Sequence, residues 1–418
     1  MEQYLLSDII YNIISYLNKN DSFNFINICK SVMKHKYYLY KKYIFNCDAL
    51  DHNNEFMHYI ETIHSTKLID YGALKFNNLT TLKFDLSNFD IKPIEVYLTT
   101  ALNNLPKTLL TLSIEYDLFN LPLPILPLNL KALTIISNIF NQSINNLEDY
   151  ISLEYLHINS PAFNQSLKQL PITLIHLYIC SSKFTESLCN LPVSLRSLHL
   201  FCHYYYKDMD FKHLSNLISF KTYNRLPLLI NPPPNLTELQ ICNEFIASIP
   251  TLVNYLPNNL KILNLHLHFF NCQLNNLPQT LENIILISDY FNQSLYNLPN
   301  SLKHLIIISP AFNECVNNLP DSLLELQISS NSFNKSLTNL PKNLEILKIF
   351  SYNFNHSLDN LPLNLQTLIL DCKSLRDHLP NQPINLKTVI INDYFSYWSG
   401  FHPEYKDPFI VNNCDWCN

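Results

Sequence analysis

The sequence predicts a short all-α module followed by a right-handed repeat solenoid with a parallel β-sheet on its concave face. Three observations carry this reading. Like residues recur at a fixed step of 21, the phrase L-x-x-L-x-I appears once per step, and the N-terminus has helical periodicity and no repeat. Right-handedness follows from the handedness of parallel crossover connections.

Taken in chain order, the first element is an amphipathic helix: Leu5, Ile9, Ile10, Ile13, Ile14 and Leu17 recur at steps of three and four. Ser7 caps it and Asp8 suits its dipole. Asp21 caps a second helix bearing Phe25, Ile28 and Cys29, and Lys34, Lys36, Lys41 and Lys42 stand among tyrosines in a third segment. On periodicity alone this is a helical cap closing one end of a solenoid core. The order of residues says more. Leu5-Leu6-Ser7-Asp8-Ile9-Ile10-Tyr11-Asn12-Ile13-Ile14-Ser15-Tyr16-Leu17, then Asp21, then Ile28-Cys29-Lys30 resembles an F-box, with Leu6 in place of the motif's proline and Val32 in place of its tryptophan. The resemblance implies a Skp1-type adaptor of a cullin ubiquitin ligase as partner, held by Leu5, Ile9, Ile10, Ile13 and Leu17. Phe56, Tyr59, Ile60 and Ile63 then predict a bridging helix, giving a module over 1–45 and a helical linker and N-cap over 46–78.

The repeat occupies 79–395. Phe270, Phe291, Phe312, Phe333 and Phe354 keep the 21-residue step, each followed by asparagine, and Pro278, Pro299, Pro320, Pro341 and Pro362 keep it too. The phrase begins at Leu79, Leu109, Leu130, Leu153, Leu174, Leu195, Leu217, Leu236, Leu260, Leu281, Leu302, Leu323, Leu344, Leu365 and Leu386, about fifteen units, those at Leu79 and Leu217 being degenerate. Two apolar positions two apart point to one face of a strand, and the return segment F-N-x-x-L-x-x-L-P supplies more anchors before its proline ends the path. A unit this short cannot bury enough surface alone, so the coils must stack. The asparagine after each phenylalanine either takes a left-handed turn or bonds backbone amides of the neighbouring coil. The N-x-S sequons at Asn141, Asn164, Asn292, Asn334 and Asn355 are by-products of that phase.

The unit F-N-x-S-L-x-N-L-P-x-x-L-x-x-L-x-I resembles the FNIP repeat, a relative of leucine-rich repeats found in giant viruses of amoebae and in social amoebae. Departures such as Thr185 for asparagine, and the missing Phe-Asn pair across Phe201 to Pro234, predict loops or a kink there. The two resemblances together imply F-box-like helices ahead of a leucine-rich-repeat-like solenoid that recruits a target to a ubiquitin ligase. A plain repeat-protein binder or decoy without ligase coupling is the alternative. Tyr394, Phe395, Tyr397 and Trp398 predict a cap opening the tail over 396–418.

Composition narrows the functions. Only 2 glycines among 418 residues leave no P-loop, Rossmann fingerprint or kinase glycine loop. A charge of -6 with 15% charged residues gives no field for a phosphate backbone, so no nucleic acid is expected. No apolar run is long enough to span a membrane, and the start lacks a signal-peptide pattern; a cytoplasmic or nuclear protein is expected, in the host cell if viral, and not a secreted one. The 11 cysteines, mostly scattered singly, fit reduced thiols. Cys414 and Cys417 with His402 fall short of a zinc set. For His266 with His268 no carboxylate or cysteine is expected at a repeat phase, and neither this pair nor His199 with His203 is expected to hold a metal or cofactor or to serve catalysis. Target binding is expected on the strand residues between the core anchors: Tyr155, His157, His176, Tyr178, His199 and Phe201 in one block, and Ile285, Ile306, Ile346 and Phe350 in another. Gln327 is expected to face solvent.

Overall fold

The computed structural model describes residues 45–46, 62–65, 78–86, 94–202, 210–223, 231–243, 256–372 and 383–392. The expected F-box-like helices, with Leu5, Ile9, Ile10, Ile13 and Leu17, and the expected C-terminal cap lie outside these residues.

The chain divides into two compact units, Met1–Ile241 and Cys242–Asn418. In the first, strands β1 (Phe45–Asn46), β2 (Thr62–Ser65), β3 (Thr81–Asp85), β4 (Thr111–Glu115), β5 (Ala132–Ile136), β6 (Tyr155–Asn159), β7 (His176–Ser181), β8 (Ser197–Cys202) and β9 (Ser219–Thr222) lead to β10 (Glu238–Asn243), which straddles the division. Each pairs in parallel with the next, from β1–β2 through β9–β10. In the second unit β11 (Ile262–Leu267), β12 (Asn283–Ile287), β13 (His304–Ile308), β14 (Glu325–Ser329), β15 (Ile346–Phe350), β16 (Thr367–Asp371) and β17 (Thr388–Asn392) do the same. Each unit is thus a parallel β-solenoid, and the strands fall where the repeating phrase puts them.

Two corrections arise before the regular coils. Ile63, expected on a helix, lies in β2 opposite Leu82, because the ladder with β3 overrides a short apolar spacing. Strand pairing therefore begins ahead of the phrase at Leu79. The other is a helix, α1 (Ile94–Asn103), which uses the long interval between Leu79 and Leu109 and buries Leu98, Ala101 and Leu102. The sequence gives this interval only a drift in spacing. Across Phe201 to Pro234, by contrast, β8, β9 and β10 stay in register, so pairing in the first unit continues through the irregular stretch.

Within a coil, the second and fourth strand residues are buried and the first, third and fifth face outward. Behind the strands the phenylalanines form a column. In the first unit Phe119, Phe140, Phe163 and Phe184 stack at 5.5 to 6.0 Å between ring centroids. In the second, Phe270, Phe291, Phe312, Phe333 and Phe354 stack at 5.8 to 6.0 Å. The proline carbonyl closes a four-residue turn by accepting from the leucine three on, as in Pro299 with Leu302 and Pro341 with Leu344.

Asparagines at two phases divide the expected roles. Those after phenylalanine bridge coils: Asn292 Oδ1 accepts from the Asn313 amide at 2.8 Å, Asn313 Oδ1 from Asn334 at 2.9 Å, and Asn334 Oδ1 from Asn355 at 3.1 Å. A different set, Asn276, Asn297, Asn339 and Asn360, takes positive φ of 60 to 67° ahead of Leu-Pro, where asparagine replaces glycine. A third ladder has no counterpart among the expectations. Ser288, Ser309, Ser330 and Ser351, all buried, donate to the carbonyls of Phe270, Phe291, Phe312 and Phe333 one coil back. These bonds satisfy carbonyls that would otherwise be buried unpaired.

Candidate functional site

In the first unit the outward strand positions assemble one aromatic cluster. Register puts Tyr155 beside His176, His157 beside Tyr178, and Tyr178 beside His199. Tyr178 is its centre, with ring centroids 5.1 Å from Tyr155, 5.8 Å from His157 and 4.3 Å from His199, the last two edge-to-face. His176 lies against Tyr155 at 6.3 Å. Phe201 follows two residues after His199 on the same face of β8 and is half-buried. Lys221 and Glu238 close one side with an ion pair at 2.8 Å.

Burial governs the protonation of this cluster. Desolvation pushes His157 down to about 4. His199 is also pushed to about 4, by desolvation first and then by the charge of Lys221, against a smaller opposing pull from Glu238. Ser197 Oγ lies 3.2 Å from His199 Nε2, a bond that gives the neutral ring a partner. Burial also raises Tyr155, helped by Tyr178. Desolvation is the largest single influence on Glu238, yet its carboxyl is held below the usual value by the combined pull of its neighbours, led by the Lys221 ammonium that it pairs with. At neutral pH His157 and His199 are therefore uncharged, beside one internally neutralised pair.

The second block is less continuous than its spacing suggests. Ile285 and Ile306 are register partners, and Ile287 and Ile308 extend them into a four-residue apolar patch that the sequence reading left at two. Ile346 is separated from Ile306 by β14, whose Glu325 takes Lys348 and His304 at 3.2 Å each. Phe350 is only 6% exposed, so it contributes to the core and little to the face. Gln327, expected in solvent, is 7% exposed, since Ile306 and Lys348 flank it one strand away on either side. A paired carboxylate was also missed: His268 Nδ1 meets Asp289 Oδ2 at 2.9 Å, one coil on. Both omissions share a detectable signal, identity of repeat phase across 21 residues.

Among the described residues no group of three or more His, Cys, Asp and Glu could hold a metal, and no helix is long and apolar enough to cross a membrane.

The chain matches no protein-family model and no curated protein. Solved structures do match. TLR13 in a TLR13–ssRNA13 complex is 16% identical with a TM-score of 0.50, covering 86% of this chain and 62% of that one. CroV588, described as a novel circular LRR protein, is 22% identical with a TM-score of 0.44, covering 80% and 66%. YopM from Yersinia enterocolitica is 19% identical with a TM-score of 0.35, covering 75% and 80%. The chain thus spans under two thirds of the length of the first two. The paired parallel coils define a leucine-rich-repeat-like solenoid, and no catalytic family is indicated.

Proposed function

We propose that the protein is a non-enzymatic recognition subunit whose open strand face holds a target protein and whose N-terminal F-box-like segment docks a Skp1-type ubiquitin-ligase adaptor. The carrying observation is the aromatic cluster around Tyr178: large, half-buried rings on a regular sheet offer the rigid contact surface on which binding energy concentrates. A protein target suits it better than a nucleic acid. Lys83 is paired with Glu115 at 2.7 Å and Lys221 with Glu238, so among the described residues the outward strand positions of the first unit hold no cation set apart for phosphates. The adaptor half rests on the sequence Leu5 to Lys30.

A purified Skp1-type protein tests the adaptor half. Wild type binds it, while Ile13→Asp and Leu17→Asp lose binding with the melting temperature unchanged, since a carboxylate cannot be buried unpaired at the contact. If wild type fails to bind and both variants melt earlier, the segment only caps the core and the plain binder stands. Tyr178→Ala tests the other half, by abolishing capture of a target that wild type recovers from cells.

A further inference from the structure

The residue just before each strand forms a second row, on the edge where the chain enters the sheet. In the first unit it runs Lys131, Glu154, Ile175, Arg196, Ile218, tied by backbone bonds of 2.8 to 2.9 Å from Glu154 to Lys131, Ile175 to Glu154, Arg196 to Ile175 and Ile218 to Arg196. Most charges in this row have a polar partner, although Glu345 in the second unit makes no ion pair among the described residues. Lys131 meets Glu154 at 3.3 Å; in the second unit Glu282 takes Lys261 at 3.4 Å and Lys303 at 2.7 Å, and Lys387 donates to Gln366. In the first unit Arg196 is the exception among the described residues. It is exposed, its row neighbours are Ile175 and Ile218, and among the described residues it makes no ion pair.

Its surroundings combine polar groove residues with uncovered aliphatic side chains. Two residues before the first leucine of four successive phrases stand Leu128, Ile151, Ile172 and Val193, exposed by 68%, 73%, 80% and 56%. Ile218 adds 44%. An open groove lined by Ile151, Glu154, Ile175, Arg196 and Asn216 runs beside them, and Ile172 and Val193 directly precede two more of its lining residues, Thr173 and Ser194. Asn216 Nδ2 donates to the Val193 carbonyl at 3.0 Å, fixing one end of the groove. Aliphatic exposure repeated over four coils is far from the scatter a soluble surface shows.

We propose that this edge is a second docking surface, and that it takes an acidic-apolar protein segment whose carboxylate pairs with Arg196 while its aliphatic side chains lie along Leu128, Ile151, Ile172 and Val193. Charge complementarity selects the occupant: a guanidinium without an ion pair, beside exposed aliphatic side chains, favours a carboxylate, which it grips through two parallel hydrogen bonds. A lipid surface would call for a cluster of cations, and this row offers one beside a paired Lys131 and Glu154. The surface is separate from the ring cluster around Tyr178 and does not depend on the function proposed above.

The test uses the full chain and three fluorescein-labelled peptides, repeats of Leu-Glu, Leu-Gln and Leu-Lys, read by anisotropy. The Leu-Glu peptide binds wild type roughly tenfold or more tightly than Leu-Gln, and Leu-Lys does not bind. Arg196→Gln erases the preference of Leu-Glu over Leu-Gln. Ile172→Ser combined with Val193→Ser weakens both, and Tyr178→Ala changes neither. All these positions but Tyr178 are highly exposed, and circular dichroism verifies that each variant is folded; Arg196→Lys, which keeps the charge, retains part of the preference. The proposal is overturned if wild type fails to bind Leu-Glu, binds all three peptides alike, keeps its preference in Arg196→Gln, loses binding in Tyr178→Ala, or binds phosphatidylserine vesicles in place of the peptide.

Discussion

Replacing Phe333 with alanine removes the inner member of a ring column, and the cost can be worked from its surroundings. Phe333 is fully buried, with Phe312 and Phe354 parallel to it at 6.0 Å on either side. Loss of a buried phenylalanine side chain costs ~3 to 5 kcal/mol where the cavity cannot collapse. Collapse is opposed here because the serine and asparagine ladders fix the coil spacing above and below, through Ser351 to the Phe333 carbonyl at 2.7 Å and Asn334 to Asn313 at 2.9 Å. About 4 kcal/mol is therefore expected for Phe333→Ala. Phe333→Leu, which keeps most of the volume and loses both ring contacts, should cost about 1 to 2 kcal/mol. The assay is urea unfolding followed by tyrosine fluorescence and circular dichroism. Since a solenoid is coupled only through neighbouring coils, the alanine variant is also expected to split the transition, the second unit losing structure first. A loss below about 1 kcal/mol with one unchanged transition would refute the reasoning, because it would mean that the column is not a close-packed core.

Further outcomes follow from the same geometry. Leu326→Ala, at a fully buried position between Leu305 and Leu347, should cost about 3 kcal/mol, and Gln327→Ala about 1 kcal/mol, in the same unfolding assay. Ser330→Ala leaves the Phe312 carbonyl without its 2.7 Å partner and should cost about 1 to 3 kcal/mol, well above the Asn313→Ala change on the exposed ladder. The histidines give a pH dependence. His157 and His199 titrate near 4 when folded, below the ordinary 6.5, so between these values the unfolded chain takes up protons first and stability falls as the pH falls. His199→Asn should flatten thermal melts across that window, and an unchanged slope would contradict the burial argument. Among the thiols, exposed Cys189 and Cys315 should react with iodoacetamide in the native state, while Cys372, buried and pushed up to about 12, stays unmodified by peptide mapping.

The repeat made much of this molecule legible before any coordinates. A 21-residue step with leucines at fixed phases leaves a chain few ways to hide its apolar residues, so Leu302, Leu305 and Ile307 identify a strand and its core face, and Tyr155, His157, Tyr178 and His199 identify the face opposite. What periodicity cannot carry is how deeply a neighbour covers a residue. Phe350 and Gln327 share the outward phases with Ile346 and Tyr178, yet both are covered, Gln327 between Ile306 and Lys348 one strand away on either side. The partners of charges were likewise decided by stacking: Asp289 reaches His268, Glu325 reaches Lys348, and Arg196 meets two isoleucines, all across intervals that only the coil brings together. Local pattern fixes which way a residue points; the contents of its surroundings come from residues a full turn away, and these the fold alone selects.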